Sequence, residues 1–223
     1  MLQSDLLKHI PKIRHGFGTR ADPFPTGLSE IWNQASPSWK QVHGTSSCEV
    51  RAPKQSCGEV DALYTRARDQ PIAVVTADCV PVLLARRDGG AVAAIHAGWR
   101  GTRARILRKL WSELSLQGEK PADWGAAIGP SIRACCYQVT DELIAGFQEE
   151  FSELDPERVS PANRMLDLQA INHSELLALG LAFVDRLDFC TRCTRDQSDF
   201  RFHSYRREGS GTRQYSAIAI CRE

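Results

Sequence analysis

Four apolar runs of strand length set the first constraint on this chain: Ile72–Val75, Val80–Leu84, Ala91–Ile95 and Trp124–Ile128. Short continuous apolar runs bounded by turn residues read as buried strands. Helical patterns are interleaved with them. Gly101–Leu116 puts Ile106, Leu107, Leu110, Trp111 and Leu114 on one face. Asp141–Phe151 repeats the pattern with Leu143, Ile144, Phe147 and Phe151, behind Thr140 as N-cap. Leu168–Leu179 starts at an Asp167 cap and stops at Gly180. Strand character returns at Phe200–Tyr205 and Gln214–Cys221, and the Pro-, Ser- and Gly-rich Asp22–Ser38 reads as a surface loop. Strands and helices do not alternate strictly, so the expected fold class is α+β (mixed α/β), a single-domain layered sandwich over residues 1–223.

Composition narrows the function classes. The 28 basic residues balance 27 acids and are dispersed, which leaves no electrostatic case for nucleic acid or an anionic membrane. The longest apolar stretch, Ile72–Leu84, is interrupted by Asp78 and Pro81 and is too short to span a bilayer. The N-terminal MLQSDLLKHIPKIR lacks the apolar core of a secretory signal, so a cytoplasmic enzyme or binding protein is expected. Nothing in the sequence names a protein partner.

The third apolar run ends in "IHAGWRG", where a strand that only had to stop needs no histidine. Two other segments share that design: "QVHG" places His43 before a glycine, and "TADCVP" places Cys79 between an acid and a proline-broken run. Strand ends are natural places to assemble a site from distant parts of a chain. Two imidazoles and a thiolate suit Zn²⁺, with a fourth position left for chemistry. The same residues equally suit a cysteine nucleophile with His96 or His43 as its base, or two core histidines and an inert buried thiol.

The eight cysteines are spaced irregularly and read as thiols or metal ligands rather than a disulfide framework. "CTRC", Cys190–Cys193, is half a zinc ribbon, but the adjacent Cys135 and Cys136 lack the matching spacing, so no structural metal is expected there. "FHSYRREGSGTR" gathers His203, Ser204, Tyr205, Arg206, Arg207 and Arg213 in a strand–turn–strand setting suited to phosphate or carboxylate. "IGPSIRACCY" offers a Gly-Pro turn after a strand, where backbone amides can face an anion. Arg103, Arg105 and Arg108 read as the wet face of the first helix.

Taken together, "RHGFGTR", "QVHG", "DALYT", "TADCVPVLL", "IHAGWRGT", "IGPSIRACCYQV", "DFCT" and "FHSYRREGSGTR" resemble, in order, the YfiH-like family. Its members were first named multicopper polyphenol oxidases or laccases and are now regarded as zinc-dependent purine nucleoside phosphorylases and adenosine deaminases. The resemblance implies a sandwich of the YfiH type, likened to cysteine hydrolases, with zinc on His43, Cys79 and His96. It implies adenosine, inosine and methylthioadenosine as substrates, with inorganic phosphate for phosphorolysis. It also brings a rival role in editing peptidoglycan precursors. Two departures stand out. The segment between Arg20 and Gln41 is shorter than in typical members and lacks their Asn-Arg pair, and Gln138 stands where a glutamate is usual.

Under this reading His43, Cys79, His96 and Arg207 carry catalysis. Arg100, Ser204, Arg206 and Arg207 contact substrate or phosphate, and Asp61 and Asp78 orient the metal ligands. A copper polyphenol oxidase needs a histidine-rich cluster besides a blue-copper site of two histidines and a cysteine. Only His9, His15, His173 and His203 remain for it, with no His-x-His pair. The non-enzyme alternative is a nucleoside-binding protein with a purely structural zinc.

Overall fold

The computed structural model describes residues 1–222. Helix α1 (Asp5–Lys8) precedes strand β1 (Ile13–Phe17), followed by α2 (Ser29–Ala35), β2 (Ser38–Lys40), β3 (Ser47–Glu49), β4 (Ser56–Glu59) and β5 (Ala62–Thr65). Next come β6 (Ile72–Thr76), β7 (Val80–Arg86), β8 (Val92–Ala97), α3 (Trp99–Arg103), α4 (Ile106–Leu116) and β9 (Trp124–Ile128). The C-terminal part holds α5 (Asp141–Glu150), α6 (Pro156–Val159), α7 (Leu168–Ala178) and β10 (Phe183–Arg186). The small pair β11 (Arg195–Asp196) and β12 (Asp199–Phe200), the helical turn α8 (Tyr205–Glu208) and β13 (Gln214–Ile220) complete it.

The larger sheet has the order β10-β9-β7-β8-β5-β3, and a three-stranded sheet β1-β13-β6 is antiparallel throughout. Side chains alternate across a strand, and both sets are covered here. Val80, Val82, Leu84, Ala93 and Ile95 face α4, α5 and α7 through Leu107, Leu110, Trp111, Phe147 and Ile171. Leu83, Ala85, Val92 and Ala94 face the small sheet through Ile72, Val74, Ile218 and Ile220. Strands covered on both faces cannot alternate apolar with polar, which is why the runs in β7, β8 and β9 are continuous.

Several expectations hold and others shift. Thr140 and Asp167 cap their helices, accepting from the amides of Leu143 and Ala170. Residues 22–38 are more ordered than a loop. A 3₁₀ turn at Thr26–Leu28 and α2 press Leu28, Ile31 and Trp32 onto Ala73, Ala217 and Ala219, the outer face of the small sheet. The single helix expected over Gly101–Leu116 is two, broken at Arg105, which adopts φ +60°. Arg105 is not on a wet face. Its guanidinium is drawn to Glu150 and Glu153, lies 3.6 Å from the buried Glu175, and stacks 3.7 Å over Phe151. The strand expected over Phe200–Tyr205 ends at Phe200, and Tyr205 opens α8 instead.

The fold contains one clear titration liability. His15 is 2% exposed in β1, and its Nε2 accepts the amide of Ser4. Burial, with the Lys8 charge adding, pushes its pKa down from 6.5 to about 4. As the pH falls, the unfolded chain takes up this proton first. Stability present above the unfolded pKa is therefore lost on the way down to the folded one, by up to about 3 kcal/mol. Urea denaturation of wild type and His15→Gln at neutral pH and near pH 4 checks this. The variant loses less stability on acidification, and equal losses would contradict the assignment.

Candidate metal centre

Three chain segments converge at one end of the larger sheet. In the β7–β8 pairing Val80 lies opposite Ala97 and Pro81 opposite His96, so Cys79 comes to face Gly98 one step further on. His43 arrives from the connection after β2. The ligand atoms of His43, Cys79 and His96 all lie within 4.8 Å of one another, and the two imidazoles meet edge-on at 4.8 Å between centroids. Gly98 makes the convergence possible. A Cβ there would come within 3.1 Å of both Cys79 Sγ and His43 Cδ2.

Asp61, one residue before β5, holds the two histidines in register. Its carboxylate accepts the backbone amides of Val42 (3.2 Å), His43 (3.0 Å) and Gly44 (2.6 Å). The same carboxylate is 2.7 Å from Nδ1 of His96, while its main-chain carbonyl accepts the His96 amide. A carboxylate partner assigns the proton to Nδ1 and leaves Nε2 of His96 for the cluster. The amide bonds also sustain His43 at φ +60°, a left-handed conformation unusual for this residue. Burial alone would raise the Asp61 pKa, but His96 and the amides of Gly44 and Val42 hold it below the usual carboxylate range.

The three ligands shift one another strongly. Burial opposes ionisation of the Cys79 thiol, yet the charge of His96 and hydrogen bonds from both histidines bring it down to about 6. Burial likewise opposes protonation of His96, and Cys79 and Asp61 raise it to about 9. A thiolate and two imidazoles converging on one point form a donor set of two nitrogens and one sulfur, able to hold a metal ion with a coordination position left open.

Beside the cluster lies a cavity of about 510 Å³, lined among others by Trp99, Arg100, Tyr137, Arg206 and Arg213. Arg100 is exposed, and its guanidinium lies 4.4 Å over its neighbour Trp99. Arg206 donates to the Gln138 carbonyl and sits 5.2 Å over the Tyr137 ring. Burial and the neighbouring Cys79 charge push the Tyr137 phenol up to about 12, so it stays a donor at neutral pH. Tyr137 lies in the segment "IGPSIRACCYQV" but is not singled out there, because it reaches the cavity through an irregular turn after β9.

Three residues expected at the site are engaged by other parts of the protein. Asp78, at φ +95°, does not orient a histidine. Its carboxylate accepts the Thr191 hydroxyl (2.6 Å), the Ser204 hydroxyl (3.1 Å) and the Arg206 amide (2.7 Å). Ser204, expected to contact substrate, is fully buried with its hydroxyl on Asp78. Arg207, expected to hold phosphate, is turned into the protein and does not line the cavity. Its guanidinium donates to the carbonyls of Thr191, Arg192 and Phe202 and to Glu208, and stacks 3.8 Å over Phe200.

An α+β sandwich with an open His–Cys–His cluster beside an arginine-lined cavity is the class of protein that this fold and site define. The chain belongs to the multi-copper polyphenol oxidoreductase laccase family, whose model matches residues 29–221. It is 39% identical over 155 residues to adenosine deaminase RL5 of an unknown prokaryote, covering 67% of this chain but only 58% of that protein. It is 32% identical to a purine nucleoside phosphorylase of Corynebacterium glutamicum, over 82% of this chain and 74% of that one. The crystal structure of YlmD from Geobacillus stearothermophilus superposes with a TM-score of 0.78 at 25% identity, covering 96% and 94% of the two chains. Bacillus licheniformis YfiH shares the fold with a TM-score of 0.79 at 23% identity, over 93% and 92%. No helix among the described residues is long and apolar enough to cross a membrane.

The geometry makes Arg207 a stabilising clamp. Arg207→Ala is expected to cost about 1–3 kcal/mol, since it strips a charged donor from three main-chain carbonyls and Glu208. Chemical denaturation measures this, and an unchanged midpoint would contradict it.

Proposed function

We propose that this chain is a zinc-dependent purine nucleoside enzyme that phosphorolyses inosine, adenosine or methylthioadenosine and deaminates adenosine. The observation that carries the reading is the His43–Cys79–His96 triangle opening onto a cavity with cations on its wall. Relatives named purine nucleoside phosphorylase and adenosine deaminase support it. The cavity volume is in the range of small-molecule sites.

The donor set favours zinc over the copper that the family's name implies. A blue-copper centre adds a long axial ligand, commonly methionine, to its two histidines and cysteine. The chain has two methionines, Met1 and Met165, and neither lines the cavity. His9, His15, His173 and His203 join no ligand cluster among the described residues, so the further coppers of an oxidase lack ligands.

Zinc on His43, Cys79 and His96 supplies Lewis acidity toward an oxygen nucleophile or a substrate heteroatom. The remaining work falls to the chain's own side chains. In phosphorolysis a phosphate oxygen bonds to C1′ as the bond to the purine breaks, and the proton carried by phosphate ends on the departing base. Arg100, Arg206 and Arg213 furnish the cationic wall that holds the dianion. Tyr137, kept protonated, offers a hydrogen bond to the leaving base or ribose. Trp99, with Arg100 lying on it, gives the purine an apolar face to pack against. Gln41 borders the same cavity and is fixed by a two-way hydrogen bond with the Val75 main chain.

The test joins metal analysis of protein purified without added metal to chromatography of inosine and adenosine incubated with and without phosphate. Hypoxanthine formed from inosine only with phosphate, together with bound zinc, is the expected result. A metal-free, fully active protein would overturn the reading. Bound zinc without turnover of any nucleoside would favour a binding protein. Arg100→Ala removes a charge-assisted contact worth about 1.5–3 kcal/mol, so use of phosphate should fall about ten- to a hundredfold. Steady-state kinetics against phosphate concentration measures that loss, and an unchanged KM for phosphate removes Arg100 from the site.

A further inference from the structure

A second cluster of soft ligands lies in the loops beyond β9 and β10. The parallel pairing of these strands is prolonged by a bridge between Ser131 and Cys190. It carries the turn Arg133–Cys136 against the turn Cys190–Cys193, so that the Sγ atoms of Cys135, Cys136, Cys190 and Cys193 all lie within 4.8 Å of one another. The sequence made "CTRC" half a zinc ribbon without its partner. The partner is the adjacent pair, whose vicinal spacing matches no metal motif and which only the fold brings into place.

We infer that Cys135, Cys136, Cys190 and Cys193 form a structural zinc site, separate from the His43–Cys79–His96 centre. Zinc–sulfur bonds of about 2.3 Å in a tetrahedron put the sulfurs about 3.8 Å apart. The Cys135 and Cys193 sulfurs are 3.7 Å apart, far beyond a disulfide bond and matched to an edge of that tetrahedron. Both turns are closed by their own hydrogen bonds, Cys136 N to Arg133 O (2.8 Å) and Thr194 N to Cys190 O (3.0 Å). Four protein ligands close the coordination sphere, so the role is structural.

The cluster backs directly onto the cavity. Tyr137 follows Cys136, and Thr191, between the two ligands of the other turn, donates its hydroxyl to Asp78. The carbonyls of Thr191 and Arg192 hold Arg207. Zinc at the four sulfurs therefore ties together the loops that present Tyr137 and Arg206.

Native mass spectrometry of the full chain, purified in reductant without added metal, counts zinc per chain. A His43→Ala/Cys79→Ser variant keeps one zinc. Its cobalt-substituted form shows the intense thiolate-to-metal absorption of four-sulfur coordination, whatever becomes of the first centre. Cys135→Ser/Cys193→Ser, at two exposed positions, loses one zinc relative to wild type. Absence of zinc and of that cobalt spectrum in the first variant would overturn the inference. So would an intact mass showing a disulfide among these four cysteines in place of metal, or an unchanged zinc count in the second variant.

Discussion

The buried carboxylate of Asp61 is the interaction on which the site depends. A carboxylate taken out of water is tolerated only when its oxygens are well bonded, and Asp61 is 1% exposed. Its bonds reach three consecutive amides around His43 and the ring of His96. One side chain thus fixes a ligand on an irregular connection to a ligand on a central strand. Pairing of Ala62 with Ile95 sets Asp61 beside His96 in the first place. Sheet register, the hydrogen bonds of one carboxylate and ligand placement are therefore a single constraint, with Gly98 as the gap that lets the three side chains meet.

Asp78 plays the matching part on the opposite side of Cys79. Its left-handed backbone turns the carboxylate away from the histidines and onto Thr191, Ser204 and the start of α8. The two acids flank the thiolate-bearing segment and divide the labour. Asp61 organises the ligands, and Asp78 moors the segment that carries Arg206 and the Gly-rich turn to Arg213. Asp78 therefore sits at the cavity wall and positions the segment that supplies its cations. Arg207, spent on carbonyls and Glu208, stiffens the same segment.

The buried strands were legible because β6 to β9 are covered on both faces, which leaves plain runs of Val, Leu, Ile and Ala in the chain. Edge elements were not. β10, Phe183–Arg186, is partly exposed and carries Asp185, which accepts the Ser4 hydroxyl, so its sequence has no apolar period. Cys79 and His96 could be read together because each stands where an apolar run meets a turn, whereas His43, after the half-exposed β2, joined them through the family resemblance. Arg206 and Arg207 could not be told apart, since one helical turn aims adjacent residues in different directions. The four-cysteine cluster was illegible for a related reason: one of its halves has no ligand spacing of its own and depends on the register of β9 with β10.

Everything proposed for the site requires a metal where Asp61 has arranged its ligands. Crystals of the active protein, measured on both sides of the zinc absorption edge, report this directly. An anomalous peak bonded to His43, Cys79 Sγ and His96 Nε2 is the predicted result. A protein that turns over nucleosides with no peak among those three atoms would contradict it.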